Sequence, residues 1–222
     1  MSRQLQPQTV TMDHDALARF LEEHPSIKHY NPTSPDFDDT AKAFVALYPQ
    51  PPAIVRPQSA EDVAALVSHC VATNTPFAVR SGGHDLQGRS QVADALRIDM
   101  RDIAYVHVAD DKKTARIGGG ALCGGVLRAL EKEGLMTSTA GVDTVGYVGW
   151  ATLGGYGVVS PSFGMGIDQI VGAKMVNSEG KCVVADEVLL EGLRGGGGNF
   201  GIVTELTIKV YPLQEVLSPL LD

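Results

Sequence analysis

The chain has 222 residues, 26 acidic against 18 basic side chains, and a formal net charge of −8. This length is enough for one large domain or two small ones, and the acidic balance argues against a nucleic-acid-binding protein. The three cysteines show no paired spacing, so we expect no disulfide framework and predict that Cys70, Cys123 and Cys182 are buried thiols.

Residues 1–46 are predicted to form an N-terminal helical segment. "DHDALARFLEEH" (13–24) places three apolar side chains on one face, and "DDTAKAFVALY" (38–48) does so with Ala43, Phe44 and Leu47. The first residues contain no apolar core of a secretory signal, and no stretch has the apolar length of a membrane span. We therefore expect a cytoplasmic protein without a membrane partner.

A strand–helix–strand unit follows. "AIVR" (53–56) and "FAVR" (77–80) read as strands, and residues 59–73 read as a helix that Ser59 caps, with Asp62 three residues later. The helix carries an apolar face. Its members are Val63, Leu66, Val67, Cys70 and Val71. A glycine loop comes directly after the second strand, which favours a βαβ crossover with a binding loop at the strand's carboxyl end.

The rest of the chain is rich in strands and glycine. Gly134 is expected to end a helix over 125–134, and residues 138–160 hold too many glycines for a helix. A turn cluster between two β-rich runs predicts a hairpin over 168–186. Further strands are predicted over 95–100, 104–109, 114–119 and 201–212, the second and third forming a hairpin.

Several familiar site motifs are excluded. "GGGGNFG" (195–201) contains a formal G-x-G-x-x-G, but a helix end precedes it and a strand follows, which is the reverse of the dinucleotide-binding order. The sequence has no H-E-x-x-H, C-x-x-C, G-x-S-x-G or Walker A pattern. We therefore expect no metal site, serine hydrolase or P-loop NTPase.

Three glycine-rich loops remain, over 80–90, 138–160 and 195–201. Backbone N–H groups that glycine frees can bind anions, although a single such loop is equally well explained by tight turns. Three loops together with His84 favour a large ligand that carries phosphate.

The quoted motifs carry a resemblance to a known family. "PPAIVRPQSAEDVAALVSHCVATNTPFAVRSGGHDLQGRS", "RIGGGALCGGVLRALEKEGL", "TAGVDTVGYVGWATLGGYGVVSPSFGMGIDQIVGAKMVNSEGK" and "LRGGGGNFGIVTELTIKVYPL" occur in order. Together they resemble the FAD-binding PCMH-type domain of the vanillyl-alcohol oxidase superfamily, in its berberine-bridge-like, oxygen-dependent branch. The resemblance covers about residues 47–214. It implies an α+β fold with two subdomains around FAD, a short tail over 215–222, and no C-terminal substrate domain.

The resemblance also implies a cofactor site. The loop would grip the FAD pyrophosphate, and His84 would bind the flavin covalently. Asp143 stands where doubly linked members have cysteine, so one link is expected, and its carboxylate should disfavour the anionic reduced flavin. The implied cofactor-binding residues are Arg80, Ser81, Gly82, Gly83, His84, Gly88, Ser90, Gly141, Val142, Asp143, Thr144, Gly146, Gly149, Thr152, Gly154, Gly155, Gly157, Ile202 and Val203.

The implied activity is that of an FAD-linked oxidoreductase. A hydride would pass from a small organic substrate to flavin N5 and the electrons then to dioxygen, with the family's catalytic base lying beyond this chain. Two alternatives stay open: a truncated flavin-binding homologue without turnover, and a module whose open flavin face is covered by a partner chain or a second copy.

Overall fold

Helices and strands alternate throughout the computed structural model, which describes residues 12–213. The expected tail, 215–222, lies outside the described residues. The elements are α1 (His14–Glu23), β1 (Lys28–Tyr30), α2 (Phe37–Ala41), β2 (Ile54–Arg56), α3 (Ala60–Ala72), β3 (Phe77–Arg80), β4 (Leu96–Asp99), β5 (Val106–Val108), β6 (Thr114–Gly118), α4 (Cys123–Glu131), β7 (Leu135–Met136), α5 (Tyr147–Thr152), α6 (Ser160–Phe163), α7 (Gly166–Gln169), β8 (Ile170–Val176), β9 (Cys182–Val184), α8 (Glu187–Gly196), β10 (Ile202–Lys209) and β11 (Tyr211–Pro212).

The first sheet has four strands in the order β1-β2-β4-β3, and β2, β4 and β3 run parallel. The helix α3 connects β2 to β3, so the predicted βαβ crossover is confirmed. Its Ser59 hydroxyl accepts the N–H of Asp62 at 3.1 Å, as the sequence indicated. The buried face differs in one position, because Val71 is 62% exposed. The strand β1 was not predicted, and it pairs antiparallel with β2.

The second sheet is antiparallel and has five strands in the order β5-β6-β10-β8-β9. Both predicted hairpins, β5–β6 and β8–β9, are confirmed. Ile117, Leu206 and Ile208 of this sheet pack with Val126 and Leu130 of α4 in one apolar core. A second core surrounds α3.

The second core joins the two sheets. It contains Leu66 and Val67 from α3, Ile98 from β4, and Val176 and Ile202 from the five-stranded sheet. Because α3 packs in a core with strands of both sheets, it fixes the two sheets relative to each other. No helix within residues 12–213 has the length and apolar character needed to cross a membrane.

Three sequence predictions were wrong in detail. The helix predicted over 38–48 ends at Ala41, and Phe44 and Leu47 are exposed rather than packed on a helical face. The glycine-rich stretch 138–160 contains the short helix α5. Cys70 and Cys123 are buried as predicted, but Cys182 is exposed.

An arginine cluster explains why the second helix stops early. We use this name for Arg80, Arg97 and Arg101, which surround the fully buried carboxylate of Asp99. Arg97 donates to the carbonyl of Ala41 at 2.8 Å and Arg101 to that of Thr40 at 3.1 Å, while Arg80 donates to the carbonyls of Thr40 and Lys42. These guanidinium groups bind the last carbonyls of α2, where cations are favourable. The chain then continues in extended form from Lys42.

The arginine cluster predicts a large effect for Asp99→Asn. The change keeps the side-chain shape but leaves the buried guanidinium groups without an anion, so we expect a loss of about 3–5 kcal/mol in the free energy of unfolding. The matched control is Asp39→Asn, since Asp39 forms an exposed pair with Lys42 and should change stability by less than about 1 kcal/mol. Urea denaturation of both variants checks this, and equal midpoints would contradict it.

Candidate functional site

One cavity of about 1190 Å³ brings the three glycine-rich loops together. Its wall contains residues from the loop after β3, from the segment that leads into α5, and from the turn between α8 and β10. The volume is at the upper end of small-ligand pockets. The three loops are far apart in the sequence, yet they line the same cavity. One large ligand could therefore contact all three.

Most of the predicted cofactor residues lie in this wall, and some do not. The wall includes Ser81, Gly82, Gly83, His84, Ser90, Val142, Gly146, Gly149, Thr152, Gly155, Ile202 and Val203. Outside it lie Arg80, Gly88, Gly141, Asp143, Thr144, Gly154 and Gly157. Whether each contacts a cofactor stays a prediction.

The first two glycine loops touch backbone to backbone. A Cβ atom at Gly82 would lie 2.3 Å from both the Gly146 nitrogen and the Thr144 carbonyl oxygen. A Cβ atom at Gly146 would in turn lie 2.4 Å from Ser81 Oγ. Such distances are shorter than any side chain tolerates, so both positions require glycine.

His84 is held by one contact at its edge and one on its face. Its Nε2 lies 2.8 Å from Thr144 Oγ1, and its ring stacks on Phe44 with centroids 4.4 Å apart and an angle of 18°. Burial, and then the positive charge of Arg80, lower the pKa of His84 below its ordinary value of 6.5. The imidazole is therefore neutral at pH 7, the form in which a ring nitrogen is nucleophilic.

Arg80, which is among the predicted cofactor-binding residues, lies outside the cavity wall. It is 4% exposed and bonded to the carbonyls that follow α2, and its guanidinium lies beneath Gly83, where a Cβ atom would come within 2.9 Å of Arg80 Nε. Burial lowers the pKa of Arg80 to about 10, which leaves the group charged at pH 7. Arg80 therefore acts on the loop through its buried positive charge, and its side chain does not line the cavity.

Asp143 also points away from the cavity. Its carboxylate pairs with Arg128 at 2.6 Å on the exposed side of α4. The expected electrostatic effect of this carboxylate on a flavin therefore has no geometric basis. Within the described part of the chain, neither Cys123 nor Cys182 lines the cavity.

Two residues of the wall carry hydroxyl groups that the protein leaves unpaired. Ser81 Oγ and Ser90 Oγ are buried and have no hydrogen-bond partner within residues 12–213. Buried polar groups are normally paired, so these two oxygens indicate a polar ligand at the loop 81–90. Together with the backbone cradle that Gly82 and Gly83 form, they fit the diphosphate of FAD.

The sequence analysis missed part of the wall. Phe44 was predicted on the face of a helix, and Asn177 and Ser178 were interpreted only as turn residues of the β8–β9 hairpin. Trp150 and Phe200 supply aromatic surface from α5 and from the last glycine loop. A polar pair in a turn at the end of a strand was the available signal for Asn177 and Ser178, whereas nothing local marked Phe44.

The model of a family described as FAD binding domain matches residues 51–186. The chain belongs to this family. Among curated relatives, it is 38% identical to FAD-linked oxidoreductase aurO of Gibberella zeae, over 90% of this chain and 40% of aurO. It is 33% identical to (R)-6-hydroxynicotine oxidase of Paenarthrobacter nicotinovorans, over 82% of this chain and 41% of that enzyme. The chain thus spans about two fifths of the length of these relatives.

Solved structures agree with this assignment. BBE-like 1 from Physcomitrella patens superposes with a TM-score of 0.84 and 26% identity, over 90% of this chain and 45% of that protein. Glucooligosaccharide oxidase from Acremonium strictum, which carries a 6-S-cysteinyl, 8α-N1-histidyl FAD, superposes with a TM-score of 0.81 and 27% identity, over 88% and 42%. The mixed helix–strand fold is that of these FAD-binding proteins.

The contact between the glycine loops predicts that Gly82→Ala separates them. We expect a stability loss of about 1–3 kcal/mol from overpacking, together with a lower flavin content of the purified protein. Gly125→Ala is the control, because Gly125 lies outside the cavity wall and no atom lies within 4 Å of a Cβ atom there. The ratio of flavin to protein absorbance measures the content, and a Gly82→Ala variant that retains full flavin would disprove the prediction.

Proposed function

We propose that the chain binds FAD in the cavity of the three glycine loops and carries it covalently on His84. The observation behind this proposal is the position of His84: a neutral imidazole in the cavity wall, on a glycine loop beside two unpaired buried hydroxyls. The histidyl linkage in glucooligosaccharide oxidase supports it. Further support comes from the family to which the chain belongs.

Each wall segment has a part in this proposal. Ser81 and Ser90 would bind the diphosphate together with the backbone of Gly82 and Gly83, above the buried charge of Arg80. Gly149, where a Cβ atom would meet nothing within 4 Å, leaves open space on α5 for a flat ring. Trp150 and Phe200 would exclude water from the apolar part of the ligand.

We propose that the chain acts as the FAD-binding part of an FAD-linked oxidoreductase. FAD would supply the acceptor for a hydride from a small organic substrate and would pass the electrons on to dioxygen, as the resemblance implies. Residues 47–214 would form the cofactor domain, which has two subdomains. Residues 1–46 would form a segment that precedes this domain. The name of (R)-6-hydroxynicotine oxidase supports an oxidase activity.

A second candidate is a flavin-binding protein with slow turnover of its own. The ionisable side chains of the wall within residues 12–213 are His84, Asp85, Arg89 and Tyr156. Asp85 is engaged by Arg89 through a bidentate contact, with 2.6 Å between Oδ1 and Nη2, and this hydrogen bond lowers the pKa of Asp85. With His84 committed to the cofactor, the described wall offers no free carboxylate as a general base. Anaerobic reduction by candidate alcohols and amines distinguishes the two functions.

The covalent link predicts a clear phenotype for His84→Ala. Flavin should remain with the denatured unmutated protein after acid precipitation, and it should be released from the variant, which retains non-covalent binding. His29→Ala is the control, since His29 lies on β1 away from the cavity wall. Peptide mapping should find one flavin peptide, containing His84. Flavin that washes off the unmutated protein completely, or a second peptide with Cys123 or Cys182, would refute the single link.

The lowered pKa of His84 predicts how attachment depends on pH. Only the neutral imidazole can form the bond, so the rate of attachment to apoprotein should level off as the pH rises above the lowered pKa and fall as the pH drops below it. Acid-stable flavin fluorescence measured over time at each pH gives the rate, and non-covalent binding at the same pH is the control. A rate that rises toward acidic pH would reverse the sign and contradict the assignment.

A further inference from the structure

The two contacts of His84 leave its nitrogens in different states. Nε2 is occupied by the Thr144 hydroxyl at 2.8 Å. Nδ1 has no hydrogen bond within residues 12–213, so it is the ring nitrogen that the protein leaves unengaged. Thr144 itself lies outside the cavity wall, so its hydroxyl reaches the site only through the imidazole. In a neutral histidine, the partner of one nitrogen decides which nitrogen carries the proton.

We infer that Thr144 is a positioning residue that selects Nδ1 of His84 as the nitrogen that bonds to the cofactor. The 2.8 Å contact fits a hydroxyl oxygen that accepts the Nε2–H of the neutral ring and thereby holds the tautomer whose lone pair lies on Nδ1. This inference rests on the proposed covalent attachment of FAD. It adds a role for a residue that does not contact the reacting carbon.

Phe44 completes the orientation of the ring. It covers one face of the imidazole, and its own N–H donates to the Gly83 carbonyl at 3.1 Å. The buried amide of Gln91 holds the same segment by binding the Val45 carbonyl at 2.9 Å and the Leu47 N–H at 3.2 Å. With one face stacked and one nitrogen bonded, rotation of the ring that would exchange Nδ1 and Nε2 requires both contacts to break.

The attachment step balances with dioxygen as the oxidant. A bond forms between Nδ1 and the carbon of the flavin 8α-methyl group, which loses one hydrogen, and the imidazole loses the proton on Nε2. The flavin ring system takes up the two electrons, and dioxygen removes them with both protons as hydrogen peroxide. Thr144 keeps the departing proton on the far side of the ring until the bond has formed.

The test compares three variants of the full chain as apoprotein incubated with FAD in air. Thr144→Val keeps the shape of the side chain and removes its hydroxyl, and Thr144→Ser keeps the hydroxyl. Thr73→Val is the matched control, because it removes a hydroxyl outside the cavity wall, one that likewise donates to a helix carbonyl, that of His69 at 2.8 Å. The readouts are the rate at which acid-stable flavin appears, non-covalent binding by ultrafiltration, and the linked nitrogen by NMR of the flavin peptide.

We expect linkage through Nδ1 in the unmutated chain. Thr144→Val should slow attachment on the order of tenfold, the effect of losing a partner that orients a histidine, while non-covalent binding is retained. Thr144→Ser should restore the rate, and Thr73→Val should leave it unchanged.

Three results would overturn the inference. They are an unchanged rate in Thr144→Val, linkage through Nε2 in the unmutated chain, and FAD that binds but never becomes acid-stable. The last of these leaves the FAD-binding function standing, whereas a chain that binds no FAD at all removes both. The NMR assignment uses the unmutated chain, so linkage through Nε2 would overturn the inference even if a variant fails to fold.

Discussion

The close approach of Gly82 to Gly146 is the constraint on which the site depends. The loop after the parallel sheet and the loop before α5 touch without a side chain between them, so the cavity closes along this line. His84 and Thr144 stand beside the contact and meet at 2.8 Å because the two backbones are this close. A Cβ atom at Gly82 or Gly146 would push the two loops apart and move the His84 imidazole away from Thr144. The two glycines are therefore needed for the position of His84.

The buried arginine cluster lies next to the glycine loop that follows β3. The arginine cluster uses the guanidinium groups of Arg80, Arg97 and Arg101 to hold the carbonyls that end α2, with Asp99 as their shared anion. This arrangement directs the segment after Lys42 across the loop 83–91 and brings Phe44 over the imidazole. It also leaves the charge of Arg80 beneath Gly83, where it contributes to the lowered pKa of His84. One cluster thus stabilises the fold, places an aromatic ring and favours the neutral histidine.

The sequence predicted the elements whose signals are local. The cap at Ser59, the βαβ order and both hairpins follow from patterns within about 20 residues. The predicted helix over 38–48 failed because its apolar spacing competes with arginines that are 38 to 61 residues away in the chain. The expected electrostatic effect of Asp143 has no geometric basis for a similar reason. A carboxylate in a glycine loop suggested the ligand, yet Arg128, 15 positions away in the chain, binds it. The fold and the three loops were therefore predictable, and the direction of individual side chains was not.

The cavity wall joins residues from Phe44 to Val203, and the contact of His84 with Thr144 spans sixty positions of the chain. Contacts of this separation cost more chain entropy than local ones, because a long loop must close before they contribute. The oriented histidine therefore exists only after both sheets have docked. A covalent bond made by that histidine is a permanent record that the molecule once reached this state. Acid-stable flavin would then count, molecule by molecule, the chains that completed this docking, including any that have since unfolded.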